Sequence, residues 1–256
     1  MTWILFALFA QLMNATRNVL TRRVGDSVDP YTTALVSTAL MLPVLWVNVL
    51  WSGDLALDPG FWIIIAVTVP VELLVMVLFF YALTKSELSF AFPFVSFMPV
   101  FVAIGSYFIL GEVNSWLMYV GMVFLVAGAF TLQFKRESTI NIRGALFLLA
   151  VTALWGYLIP MGNLAMTYSS QQLLPAIFFS VATLAFIPVW LLKRSSSLAA
   201  VRQNLGNFLG IGLAYALFMV ANWQAFFLGT VTGVAAVGML SILFTSLLSG
   251  LFLKEQ

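Results

Sequence analysis

Apolar residues run along this chain in blocks of about 20, separated by Gly, Pro, Asp or charged positions and showing no two-residue alternation. Nine blocks stand out, at 3–21, 31–51, 61–83, 89–110, 116–134, 144–166, 173–192, 206–228 and 232–253. About 20 apolar residues wound as a helix span about 30 Å, the hydrocarbon thickness of a bilayer, so each block predicts a transmembrane helix. Barrel strands are half as long and alternate, which argues against a membrane barrel. The predicted fold class is an all-α polytopic membrane protein. The longest connections, 51–60, 135–143 and 193–205, leave no room for a soluble domain.

Composition agrees. Hydrophobic residues make up 62% of the 256 and charged ones 8%, against about 45–50% and about 25% in soluble domains. Only lipid can act as solvent for so much apolar surface, provided the backbone is satisfied inside helices. The chain has no Cys and no His, which excludes disulfide frameworks, thiol nucleophiles, zinc clusters and His-based triads. It also lacks a GxxxxGK[ST] loop and a GxGxxG fingerprint, so nothing points to a nucleotide-driven pump, a cofactor or a metal. The N-terminal MTWILFALFA has no basic flank and no small-residue cleavage site, and reads as a retained helix.

Sliding the sequence along itself reveals a weak internal repeat. Pro30, Thr38 and Pro43 fall on Pro175, Thr183 and Pro188 at a shift of 145. Ala82, Ser89, Ser106 and Glu112 fall on Ala225, Thr232, Ser249 and Glu255 at a shift of 143. With five spans per repeat, the second copy is inverted in the membrane. The basic residues test this. Arg22, Arg23, Lys85, Lys135, Arg136, Arg143, Lys193, Arg194, Arg202 and Lys254 all occur in alternate connections or in the tail, while the connections between them and the N-terminus carry no Lys or Arg. Equivalent loops of the two halves thus carry opposite bias. By the positive-inside rule the N-terminus faces outward, and loops 22–29, 84–88, 135–143 and 193–205 face the cytoplasm of a bacterial-type inner membrane. The expected organisation is a first repeat at 1–134, a cytoplasmic linker at 135–143, and a second repeat at 144–256 with four of five helices, a tenth helix being absent from the chain.

The stretch 80–112, FYALTKSELSFAFPFVSFMPVFVAIGSYFILGE, resembles the third and fourth helices of an EamA-type repeat of the drug/metabolite transporter superfamily. GMVFLVAGAF at 121–130 resembles its Gly-rich fifth helix, and WQAFFLGTVTGVAAVGMLSILFTSLLSGLFLKE at 223–255 the equivalent unit of the second half. Trp155-Gly156 with Pro160 is similar to the opening helix of that half. Two features depart from the pattern: Ile242 stands where Pro99 predicts a second proline, and the WSGDLALDPG loop is acidic where the family often has a basic one. The resemblance implies a ten-helix, inverted-repeat secondary carrier with a cavity near the midplane, exporting metabolites, amino acids or drug-like compounds.

Glu72 is the one Asp or Glu deep in a span. A charged carboxylate costs about 2.5–3.5 kcal/mol there, so capture of a proton or an amine relieves it, as does a hydrogen bond between packed helices. Gln11, Asn14 and Asn18 form one stripe on helix 1, suited to lining an aqueous path or to joining helices. Arg17 beside them either snorkels toward the surface or pairs with Glu72. Trp155, Tyr157, Asn163, Tyr215, Asn222, Trp223 and Gln224 supply aromatic and amide groups, which suit an amphipathic or aromatic solute and equally suit packing. Pro93, Pro99 and Pro160 are candidate hinges. Gly206, Gly210 and Ala214, and Gly121 with Gly128, are candidate close-packing faces. Glu112 and Glu255 read as structural markers at helix ends.

The function expected from these residues is secondary transport by alternating access, with a small-molecule substrate, the bilayer as its other partner, and Glu72 as a candidate proton-coupling group. Alternatives are a non-transporting scaffold or receptor, for which the sequence shows no sizeable soluble part, and an intramembrane lipid-modifying enzyme, which needs a cluster of reactive side chains. No enzymatic activity and no nucleic-acid binding is expected; monomer and homodimer stay open.

Overall fold

The computed structural model describes residues 2–25, 27–85, 94–133, 142–196 and 198–252. Eleven helices are seen among them: α1 (Thr2–Gly25), α2 (Pro30–Ser52), α3 (Gly60–Lys85), α4 (Met98–Leu110), α5 (Trp116–Gln133), α6 (Ile142–Ala165), α7 (Leu173–Lys193), α8 (Leu198–Gln203), α9 (Leu205–Leu228), α10 (Val231–Gly238) and α11 (Leu240–Phe252). Among the described residues there is no strand beyond one isolated bridge, Leu57 to Ser169. Five helical stretches are long and apolar enough to cross a membrane: 30–52, 146–165, 173–193, 205–228 and 231–251. The protein is a multi-pass helical membrane protein.

Three spans differ from expectation. In the 89–110 span Phe94 and Val95 are helical, a turn interrupts at Ser96 and Phe97, and α4 begins at Met98. Pro99 therefore lies in the first helical turn, where its missing N–H is no loss, and does not sit in mid-helix. The 232–253 span is interrupted at Met239, with the Ile242 amide donating to the Met239 carbonyl at 3.2 Å. The break occurs without a proline. Helix α1 has 24 residues, yet its Gln, Asn and Arg side chains keep it out of the five strongly apolar stretches. Pro93, residues 86–88 and 135–141 of the expected loops, and the tail with Glu255 lie outside the described residues.

The described residues form two compact units. The first comprises 1–61, 166–229 and 237–256, and the second 62–165 with 230–236. In the first unit α1 runs antiparallel to α9, as shown by Gly229 against Trp3, Gln11 against Asn222, Arg17 against Tyr215 and Gly210 against Leu20. Alongside, α2 and α7 bury Met41, Leu45 and Val49 against Leu173, Ala176 and Phe179. Trp46 donates to Ser180 at 3.1 Å and Trp190 to Thr32 at 3.0 Å, so this pair is antiparallel too. Gly212 of α9 lies close to Leu40 of α2, where an added Cβ would fall 2.7 Å from the Leu40 Cβ.

Both ends of the α2–α7 pair are tied. At one end the Asp58 amide donates to the Tyr168 carbonyl at 2.9 Å and Ser170 Oγ to the Asp54 carbonyl at 3.3 Å. At the other, Asp29 caps α2: its carboxylate accepts from the Thr32 amide at 3.0 Å and the Thr32 hydroxyl at 2.7 Å. The same carboxylate accepts from the Ser195 and Ser196 amides at 3.3 and 3.0 Å, and the Asp29 amide donates to Ser196 Oγ at 2.6 Å. Burial opposes ionisation of Asp29, but the hydrogen bonds from Thr32 and Ser196 outweigh it and hold the carboxyl down at about 2. A folded value below the unfolded one of about 3.9 means that this contribution to stability is complete above about pH 4 and is lost as pH falls toward 2. Asp29→Ala is expected to lower stability by about 1–2 kcal/mol, the usual cost of a lost cap, read as a fall in the thermal midpoint at pH 7 that narrows at pH 3.

In the second unit α3 and α6 bury Val75, Val151 and Leu158. Helices α4 and α6 cross where two glycines meet. An added Cβ on Gly156 would lie 2.7 Å from the carbonyl carbon of Phe101, and one on Gly105 would overlap the Gly156 carbonyl oxygen. The small-residue faces expected at Gly121, Gly128 and Gly206 have nothing within 4 Å of such a Cβ. Close helix packing is seen at Gly105, Gly156 and Gly212, and of the expected Gly206, Gly210 and Ala214 face at Gly210, whose added Cβ would lie 3.0 Å from Leu20 Cδ1. At the end of α4, Gly111 adopts φ 67° and turns the chain so that Glu112 accepts from the Val231 and Thr232 amides at 2.9 and 3.1 Å. Asn114 adds a bond to Thr232 Oγ1 at 3.1 Å. Glu112 is thus an N-cap for α10 supplied from another helix.

Candidate functional site

Helix α1 is built inside out relative to a soluble helix. Leu5, Phe6, Phe9 and Leu12 are exposed, as suits a lipid-facing side, while Gln11 is buried and Asn14, Arg17 and Asn18 are half-buried. The spacing 11, 14, 17/18 places these four on one face. They meet α9 and α11: Gln11 Nε2 donates to Asn222 Oδ1 at 3.4 Å, and Asn18 Nδ2 to Thr245 Oγ1 at 3.3 Å. Each interhelical bond of this kind contributes about 0.6–2 kcal/mol. The Asn14 carboxamide oxygen is buried and accepts no hydrogen bond from any described residue.

Arg17 does not snorkel. Its Nε and Nη2 donate to Asn18 Oδ1 at 3.4 and 3.0 Å, and its guanidinium carbon lies 4.5 Å from the centre of the Tyr215 ring and 6.0 Å from that of Phe218. Tyr215 and Phe218 are stacked at 6.2 Å with their planes 17° apart, and Phe179 meets Tyr215 edge-on at 5.9 Å. Arg17 lies eight residues before the end of α1, about 12 Å of helix, and contacts Tyr215 ten residues inside α9. A guanidinium at such depth costs about 2.5–3.5 kcal/mol, of which a desolvated cation–π contact returns about 2. No described carboxylate lies within ion-pair distance of it. The sequence stripe of three amides omitted Arg17, although its position three residues after Asn14 puts it on the same face.

Other expected residues of this unit sit further along α9. Trp223 packs on Phe226 at 5.5 Å, and its indole N–H is buried without an acceptor among the described residues. Gln224 accepts from Gln171 Nε2 at 2.6 Å, which engages it with the connection before α7. So Gln11, Asn14, Asn18, Tyr215 and Asn222 are brought together, whereas Gln224 is turned to a structural bond.

Glu72, Trp155, Tyr157 and Asn163 belong to the second unit. Glu72 is half-buried on α3 and makes no hydrogen bond or ion pair with any described residue. Trp155 and Tyr157 pack against the Val75, Val151 and Leu158 cluster. Asn163 is half-buried near the end of α6. Pro160 is buried within the continuous α6 and faces Gly105, with its Cγ 3.2 Å from the Cβ a residue there would carry.

A family model described as the EamA-like transporter family matches residues 1–134. A solved structure titled only as the crystal structure of a protein is similar in fold, with a TM-score of 0.82 at 16% identity, covering 98% of this chain and 88% of that one. No curated protein sequence matches the chain.

Proposed function

The chain belongs to the EamA-like transporter family, and from that premise we propose that it is a secondary exporter of small metabolites, amino acids or drug-like compounds working by alternating access. The observation that carries this reading is the polar seam of Gln11, Asn14, Arg17, Asn18, Tyr215 and Asn222, held inside a helix pair whose outer face is apolar. Intramembrane polar and ionisable groups are costly, and they mark solute paths where they face a protein interior. Transport, not bond-making, is the activity this seam suits.

The same reading takes 1–134 and 144–256 as inverted repeats, with the N-terminus outside a bacterial-type inner membrane. Several features support it. The turn at Ser96 and the break at Met239 are separated by the repeat shift, since 96 + 143 = 239. Ser106 and Ser249 are both buried, as are Thr38 and Thr183. Helices α2 and α7, equivalent under the repeat, run antiparallel. Unlike Pro99, Ile242 has its own N–H, so a shared break at this register does not depend on proline. Breaks of this kind are hinge points for alternating access, and Glu72 is the group through which we couple the cycle to protons.

Purified full-length protein in proteoliposomes tests this, with a panel of radiolabelled amino acids, nucleobases and cationic drugs and an imposed pH gradient. Uptake of at least one compound above protein-free liposomes is expected. Equal flux for the whole panel with and without protein contradicts it.

A further inference from the structure

We propose that the guanidinium of Arg17 is the binding point for the carboxylate of an amphipathic substrate, whose apolar part lies along the Tyr215–Phe218 stack. This rests on the transporter reading and narrows its substrate class. Arg17 is always charged, lies well inside α1 and α9, and has no carboxylate partner among the described residues. Among the described residues its neighbours supply the ring face and hydroxyl of Tyr215 and the amide oxygen of Asn18, and no carboxylate. The Asn18 carboxamide uses its own N–H on Thr245, so it is held in the orientation that presents its oxygen to Arg17.

Two planar donors of the guanidinium engage Asn18 Oδ1, and a guanidinium has five. With a further one engaged by the Tyr215 hydroxyl, two are left for a carboxylate, which takes two parallel hydrogen bonds. A cation seated on stacked aromatics with donors to spare is the arrangement that receives an oxyanion next to an apolar chain. An organic cation finds the opposite there: like-charge repulsion at the point where the aromatic surface is best. Asn14 Oδ1, unsatisfied three residues before Arg17, adds an acceptor for an N–H of the same solute. The carboxylate and the apolar part hold the solute, and Asn14 adds to the affinity of an anion that also carries a hydrogen-bond donor, as an amino acid or a hydroxy acid does.

Titration of the full-length protein in phosphate-free maltoside micelles tests this, with 3-phenylpropionate as the anionic probe and phenethylamine as its cationic counterpart. Tryptophan fluorescence and thermal shift are the readouts. Saturable binding of 3-phenylpropionate is expected, with none of phenethylamine, and Arg17→Gln weakens the anion at least tenfold. Arg17→Lys keeps the charge but loses the planar fork, so binding falls between the two; should Arg17→Gln fail to run as a single peak on gel filtration, Arg17→Lys carries the comparison. Equal binding of anion and amine, or anion binding unchanged in the variants, overturns the proposal. Phosphatidylglycerol is titrated in parallel, because a lipid phosphate offers the same oxyanion chemistry. Arg17-dependent binding of the lipid with none of the soluble carboxylate also overturns it. Proteoliposome flux separates the two readings. Arg17-dependent binding without any flux removes transport and leaves the anion site, whereas flux of phenethylamine unaffected by Arg17→Gln leaves transport and removes the anion site.

Discussion

Gly156→Leu is expected to leave little folded protein. The position lies where α4 crosses α6, and the atoms that a side chain meets there are the Cβ and the backbone of Phe101, not the movable end of a side chain. Overpacking a core commonly costs about 1–3 kcal/mol; a backbone obstacle permits no rotamer escape, so the helices must part and the cost rises above that range. Gly105 faces the same contact from the other side, with the buried Pro160 beside it. Gly156→Ala should therefore already lower the thermal midpoint, and Gly156→Leu should abolish the monodisperse peak on fluorescence-detected gel filtration. Gly121→Leu is the matched control. Nothing lies within 4 Å of its added Cβ, so a change within about 0.5 kcal/mol is expected. Equal damage from both substitutions would show that the α4–α6 crossing is not the sensitive contact.

Glu72→Gln is expected to separate binding from energy coupling. The substitution keeps the shape and removes the titrating proton, and no described residue loses a hydrogen bond or an ion pair by it. The folded protein should be at least as thermostable, because no charge need then be held in the span. Counterflow exchange of substrate should persist, while accumulation driven by a pH gradient and substrate-dependent alkalinisation of pyranine-loaded proteoliposomes should fall to the protein-free level. Proton movement unchanged in Glu72→Gln would remove this carboxylate from the mechanism. A loss of exchange and coupling together would place it in the substrate site instead.

The membrane class and most helix limits were legible in the sequence, because apolar blocks of about 20 residues without alternation satisfy their backbone in lipid only as helices. The interruptions were not. Ser96 and Met239 carry no helix-breaking side chain, and the expectation that prolines mark the kinks moved attention to Pro99, which begins a helix, and to Ile242, which follows a break that needed no proline. Glycine spacing misled for a related reason. Gly121 and Gly128 share a helix face, but both are exposed with no described atom within 4 Å of an added Cβ, whereas Gly105 and Gly156 lie on different helices 51 residues apart and no pattern local to either links them. The seam was half visible. Periodicity places Gln11, Asn14 and Asn18 together, and leaves the arginine between them either to snorkel toward the surface marked by Arg22 and Arg23 or to pair with Glu72. What decided its direction was the aromatic pair on α9, which helix 1 alone does not contain. Glu112 read as a helix-end marker; its role as a cap for α10 depends on a fold that brings residue 112 to residues 231 and 232.

The chain contains no cysteine, so a single introduced thiol reports its surroundings without background. The central claim is that the α1–α9 seam lines a path for solutes while the opposite side of α1 faces lipid. Asn14→Cys and Leu5→Cys, each in full-length protein in sealed vesicles of both orientations, are exposed to a charged, membrane-impermeant methanethiosulfonate reagent. Reaction of Asn14→Cys, slowed by transported substrate, with Leu5→Cys inert, is the result expected. An inert Asn14→Cys from both sides of the membrane, or reaction at Leu5→Cys as fast as at Asn14→Cys, would contradict a solute path along this seam.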